Sequence, residues 1–101
     1  MAIQLNESNF ESFINNDPKV MVEFFATWCP HCQRMQPIVD ELADELTVPV
    51  YQVDVDKNPD LAAEYAPQGF PTFILFENGQ MAVGIEGEQS KEALIHFIEN
   101  N

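Results

Sequence analysis

The sequence predicts an α/β protein, a mixed β-sheet with helices on both faces. Three observations point there. Short apolar runs of strand character alternate with stretches of helical periodicity. One run, residues 20–26, is apolar throughout except for Glu23, as a strand buried on both faces should be. Asn78-Gly79 then ends the alternation with a two-residue hairpin signal.

The elements follow in order. Residues 2–5 suit a short edge strand. Ser8, with Glu11 three residues later, has the pattern of a capping box, and Phe10, Phe13 and Ile14 recur behind it at helical spacing until Asp17-Pro18 breaks the helix. After the central strand at 20–26, the apolar positions Met35, Ile38, Val39, Leu42 and Leu46 keep a helical period over residues 30–46. Pro37 lies inside that helix, where it removes a backbone donor and should kink the helix. Residues 48–55 read as a second buried strand. Asn58 and Pro59 read as a cap and first-turn proline opening a short helix through Tyr65. Residues 72–76 form a third strong strand, and the hairpin returns residues 81–85 antiparallel to it. Ser90 caps a last helix carrying Ala93, Leu94, Phe97 and Ile98. The order is β-α-β-α-β-α-β-β-α, with early strand–helix–strand units implying parallel pairs and the hairpin adding an antiparallel edge.

With 101 residues, the chain is read as one domain, 1–101, around one core. Seventeen acidic residues against four basic ones give a net charge of −13, a field that repels nucleic acid and anionic membrane surfaces. No apolar run is long enough to span a membrane, and residues 1–10 lack the basic start of a signal peptide. The expectation is a soluble, monomeric, cytoplasmic protein.

The two cysteines, Cys29 and Cys32, are only three positions apart, a spacing for redox or metal chemistry rather than for a secreted disulfide framework. Cys29-Pro30-His31-Cys32 follows the central strand and opens a helix. At the cap position, Cys29 meets free N–H groups and the positive end of the helix dipole, which favour a thiolate. Pro30 suits the first turn, since its missing donor has no partner there. Cys32 lies a turn deeper and is expected to be the less exposed sulfur. Cys29 is therefore expected to attack a substrate disulfide and Cys32 to resolve the mixed disulfide. Zinc would need two further ligands, which His31 and the surface-reading His96 do not readily supply, so no metal and no bound cofactor is expected. Glu23, a lone charge in a buried strand, must be neutral, partnered or reached by water.

Residues 24–32, Phe-Phe-Ala-Thr-Trp-Cys-Pro-His-Cys, resemble the active-site segment of the thioredoxin family. Pro37 resembles the family's helix-kinking proline, and Phe70-Pro71-Thr72 the loop carrying its cis-proline. Asn78-Gly79 resembles its hairpin turn, and Gly87 its glycine near the binding groove. The resemblance covers nearly the whole chain in one register. It implies the thioredoxin fold and a protein-disulfide oxidoreductase acting through a redox-active Cys29–Cys32 disulfide. It also implies a cis Pro71 opposite the sulfurs, with Trp28, Pro30, Phe70 and Pro71 forming an apolar rim for protein substrates. Its partner would be an NADPH-linked flavin reductase, thioredoxin reductase. The family usually has a buried Asp where Glu23 stands, so Glu23 is a candidate base for Cys32; Gln52 stands where a lysine partner is common. Pro30-His31 departs from the family's Gly-Pro and resembles the disulfide-forming oxidases of the bacterial envelope, but the helical insertion of those proteins has no room between Leu46 and Val48.

Other readings are a glutaredoxin-like enzyme, a disulfide-forming oxidase or isomerase, and a non-catalytic binding module. Glutaredoxins typically place Thr-Val before the cis-proline, where this chain has Gly69-Phe70, and non-catalytic modules commonly lose a cysteine. His31 is expected to stabilise the Cys29 thiolate by a hydrogen bond or partial positive charge. Stabilising the thiolate favours the dithiol and raises the reduction potential. Changing Pro30-His31 to Gly-Pro should then lower the potential, as read by equilibration with glutathione; an unchanged potential would remove the dipeptide from the account.

Overall fold

Period-two alternation along the central strand sets the architecture. In the computed structural model, which describes residues 1–101, β2 (Lys19–Phe25) is hydrogen-bonded on both sides. Val20, Val22 and Phe24 point to one face of the sheet, and Met21, Glu23 and Phe25 to the other. Both faces are covered. On one, α1 (Phe10–Ile14) and α3 (Pro59–Tyr65) enclose a core of Phe10, Ile14, Val22, Phe24, Leu61 and Phe76. On the other, α2 (Pro30–Glu45) and α4 (Lys91–Glu99) enclose Met21, Met35, Val39, Leu42, Leu94 and Phe97.

The five strands run in the order β1-β3-β2-β4-β5, with β1 (Ile3–Leu5), β3 (Val50–Asp54), β4 (Thr72–Glu77) and β5 (Gln80–Glu86). β1 and β2 both pair with β3 in parallel, so the first crossover skips a place in the sheet. The antiparallel part is wider than the hairpin alone implied, because β4 already runs antiparallel to β2. The parallel register sets Gln52 beside Glu23. The element order, the edge position of β1 and the central position of β2 agree with the sequence reading.

Three local expectations need correction. Ser8 does not cap α1. Asn6 Oδ1 accepts from the Ser8 and Asn9 amides, while Asn9 Oδ1 accepts from the Asn6 amide, so a reciprocal pair of asparagines closes the turn and Glu11 takes no part. Asn58 does not cap α3, because its amide is spent on the Glu7 N–H and the Asp54 carbonyl; Glu7 Oε2 accepts from the Asp60 amide in its place, at 2.9 Å. The buried strand expected at 48–55 is confined to Val50–Asp54; at its start Pro49 has no N–H to donate to the ladder, though its carbonyl accepts from the Met21 amide at 3.0 Å. Ser90 does cap α4, accepting from the Ala93 amide at 3.0 Å. α2 continues as one helix through Pro37.

At the hairpin, Asn78 and Gly79 both have positive φ, 52° and 80°, as the predicted turn requires. A Cβ on Gly79 would also lie 1.9 Å from Asn15 Oδ1. Gly79→Ala should therefore lower stability by about 1–2 kcal/mol or more, measured by urea unfolding; an unchanged midpoint would show that the turn relaxes freely.

Candidate active site

β2 ends at Phe25, and the chain turns through Ala26–Trp28 into α2, placing Cys29 as the helix N-cap. Its backbone is extended (φ −88°, ψ 114°), and its sulfur accepts the Cys32 amide at 3.2 Å. One of the otherwise orphaned donors of the first turn is thus spent on sulfur. Pro30 occupies the first helical turn as expected. Both cysteines are free thiols.

Their exposures correct the sequence reading. Cys29 is 3% exposed and Cys32 4%, so depth does not distinguish them. Cys29 is shielded by its own rim: the Phe70 carbonyl stands 3.7 Å from its sulfur, and the Phe70–Pro71 bond is cis, as expected. Trp28 meets Phe70 edge to face at 5.8 Å and is 63% exposed, its indole N–H donating to Asp56 Oδ2 at 2.8 Å. Electrostatics distinguishes the sulfurs instead. Burial, followed by the hydrogen bond with Cys29, pushes the Cys32 thiol up to about 12, and Glu23 adds to the rise. Cys32 is a poor nucleophile at neutral pH unless its proton is taken.

Glu23 lies behind the pair, 1% exposed. Its Oε1 accepts from Gln52 Nε2 at 2.7 Å, while Oε2 has no partner. Burial outweighs that hydrogen bond, and with a smaller push from Asp40 it lifts the carboxyl to about 7. Gln52 and Gln36 bond amide to amide in both directions, at 2.9 and 3.1 Å, and Gln36 goes on to Asp40 at 3.1 Å. Cys32, Gln36 and Asp40 follow one another at four-residue intervals along α2, a polar line on one side of the helix. A recess of about 300 Å³ opens onto Cys32 and Gln36.

On the other side, a cleft of about 320 Å³ is lined by His31, Gly69, Phe70, Glu86, Gly87 and Glu88. The Gly87 amide donates to the Pro71 carbonyl at 2.8 Å, fixing the two loops together. Gly87 has φ +88° with open space where a Cβ would stand, so backbone conformation and not crowding calls for glycine. In the structure His31 loses one of its two expected ways of acting. It makes no hydrogen bond to Cys29; its Nδ1 stands 2.5 Å from Glu88 Oε2 and 2.8 Å from Arg34 Nη2.

The structure thus brings together Cys29, Cys32, Glu23, Trp28, Pro30, Phe70 and Pro71, with His31 and Gly87 on the adjoining cleft. Gln36, Asp56, Arg34 and Glu88 went unnoticed in the sequence. Gln36 had a signal, its four-residue offset from Cys32; Asp56 and Glu88 are distant in sequence and had none. No group of three or more His, Cys, Asp or Glu side chains is placed to hold a metal ion, and no helix is long and apolar enough to cross a membrane.

The thioredoxin family model matches residues 1–100. The chain belongs to the thioredoxin family. It is 37% identical to a thioredoxin-like protein of Synechocystis, over 98% of this chain and 97% of that protein. It is 34% identical to the thioredoxin of Rickettsia bellii, over 100% of this chain and 99% of that protein. Among solved structures, a mutant thioredoxin from Halobacterium salinarum superposes with a TM-score of 0.91 at 31% identity, covering 98% of this chain and 88% of that one. The fold is therefore the thioredoxin fold and the activity thiol–disulfide oxidoreduction. Thioredoxins act on protein disulfides and are reduced by thioredoxin reductase.

A carboxyl raised from an ordinary 4.5 to about 7 binds its proton more tightly in the folded state. The contribution of Glu23 to stability should accordingly fall as pH rises from about 4.5 to 7, by on the order of 3 kcal/mol, and be level on either side. Urea unfolding at pH 5 and pH 8 should show this fall in the native chain and its loss in Glu23→Gln; parallel pH profiles would mean that Glu23 is ionised without penalty.

Proposed function

We propose that this thioredoxin works as a protein-disulfide reductase in which Cys29 is the attacking sulfur and Cys32 the resolving one. One observation carries the assignment: the Cys29 sulfur accepts a helix-start amide at 3.2 Å, whereas the Cys32 thiol is held up near 12. The Cys29 thiolate attacks one sulfur of the substrate disulfide and expels the other as a thiolate. Cys32 then gives up its proton and attacks the Cys29 sulfur, releasing the second substrate sulfur. Two electrons pass to the substrate, which leaves as two thiols once protonated, and the protein keeps a Cys29–Cys32 disulfide. Glu23 is the base for Cys32: near 7, a carboxyl accepts and returns a proton at neutral pH. The relay between them is proposed from shared burial and charge, with the recess beside Cys32 and Gln36 as the way in for water.

The rim of Trp28, Pro30, Phe70 and Pro71 suits extended protein segments, with the Phe70 carbonyl and the Gly87 loop as the backbone edge. The disulfide of this pair serves as the only redox group, and an NADPH-linked flavin reductase restores the dithiol. Gly69-Phe70 before the cis-proline speaks against glutathione as the partner. The exposed large apolar side chains are few, Met1, Ile3, Trp28 and Met81, and only Trp28 lies at the redox pair, which suits a monomer. The net charge of −13 speaks against nucleic acid and anionic membranes as partners. A reducing compartment such as the cytoplasm suits the reductive direction. A potential above that of a Gly-Pro pair is supported by the Arg34 guanidinium at the mouth of the site, which interacts electrostatically with Cys29.

Cys29→Ser should bring insulin disulfide reduction down to background, and Cys32→Ser should accumulate mixed disulfides through Cys29, read by mass spectrometry of trapped adducts. Trapping through Cys32 in Cys29→Ser would reverse the roles.

A further inference from the structure

The one side chain at the mouth of the site that joins two groups of the redox helix is Glu88, on the loop after β5. Its Oε2 stands 2.5 Å from His31 Nδ1 and 2.7 Å from Arg34 Nη2, and Arg34 Nε reaches both carboxylate oxygens at 3.2 Å. Arg34 Nη2 and His31 Nδ1 are themselves 2.8 Å apart, so three groups close a triangle around one anion. His31 and Arg34 lie within the first five residues of α2, beside Cys29.

We propose that Glu88 is a positioning residue which holds the His31 imidazole and the Arg34 guanidinium back from the Cys29 sulfur and thereby limits how far they raise the reduction potential of the pair. The inference rests on the proposed exchange chemistry of Cys29 and Cys32. A positive group near a thiolate stabilises the dithiol and raises the potential. Here the carboxylate of Glu88 opposes that positive charge and engages one of the two imidazole nitrogens, Nδ1, which fixes the ring beside Arg34. Glu88 responds as a paired anion should, held down to about 2 first by Arg34 and then by His31. The triangle therefore reconciles an oxidase-like dipeptide with a reductase scaffold: the groups that could raise the potential are present but are opposed by an anion. The loop that carries Glu88 also lines the substrate cleft. A substrate or reductase side chain that draws Glu88 away would release both groups toward the sulfurs.

The test is the equilibrium constant of the full chain with glutathione, at low salt, for the native protein, Glu88→Gln, His31→Gln and the double variant. All are exposed substitutions that leave the core untouched. Glu88→Gln should move the equilibrium about tenfold toward the dithiol, about 30 mV more oxidising. The shift should shrink at least threefold in the His31→Gln background, and raised salt should reduce it. An unchanged constant in Glu88→Gln would overturn the proposal. So would an equal shift in both backgrounds, because Glu88 would then act by its own charge or on Arg34 and not through His31. A native chain that fails to equilibrate with glutathione at all would overturn the exchange chemistry itself, a result distinct from either of these.

Discussion

The structure depends on the burial of β2. It is paired with β3 and β4 and covered by helices on both faces, so each side chain from Val20 to Phe25 is committed to one of two interiors. That commitment aims Glu23 and Phe25 at the face of α2, where Phe25 packs with the two cysteines. It also ends the strand where the helix must begin, so that Cys29 falls at the helix cap. A slip of one residue along β2 would turn Glu23 toward Phe10 and Ile14 and leave Cys32 without a carboxyl behind it.

Two electrostatic environments result, one on either side of the sulfurs. Behind them the surroundings are buried: Glu23 has one amide for a partner and one bare oxygen, and desolvation governs both its proton and that of Cys32. Gln52 supplies a hydrogen bond where a lysine would bring a full charge, and the reciprocal bond to Gln36 keeps the amide turned toward the carboxyl. In front the surroundings are wet. Charges there are screened, and an ion pair contributes little to stability. The Arg34 charge still bears on Cys29, and a small free-energy difference is a measurable change in a redox equilibrium. The buried and the wet surroundings thus lie on opposite sides of one pair of cysteines.

Much of the site was legible because its residues are local. Trp28 through Cys32 lie in one segment between a strand and a helix, and Glu23 is conspicuous as the lone charge of a buried run. Caps were less legible. Ser8 and Asn58 had the right residue types at the right positions, yet Asn6 and Glu7 took the work, because several polar side chains competed for the same amides and chain direction decided among them. The equal burial of the two sulfurs could not be read at all: what covers Cys29 comes from residues about forty positions away, at Phe70 and Pro71.

The sequence by itself determined the α/β class, the order of the elements, the redox pair and its place at a helix start. Periodicity and capping are properties of neighbouring residues, and the chemistry of a C-x-x-C pair needs only a turn of helix. Tertiary structure alone decided that β4 runs antiparallel to β2, that Gln36 and Gln52 clasp beside Glu23, and that His31 turns to Glu88 instead of to Cys29. Each of these joins residues far apart in the chain. Which partner a polar or charged side chain takes depends on what the fold brings within about 3 Å of it, and no local pattern carries that distance.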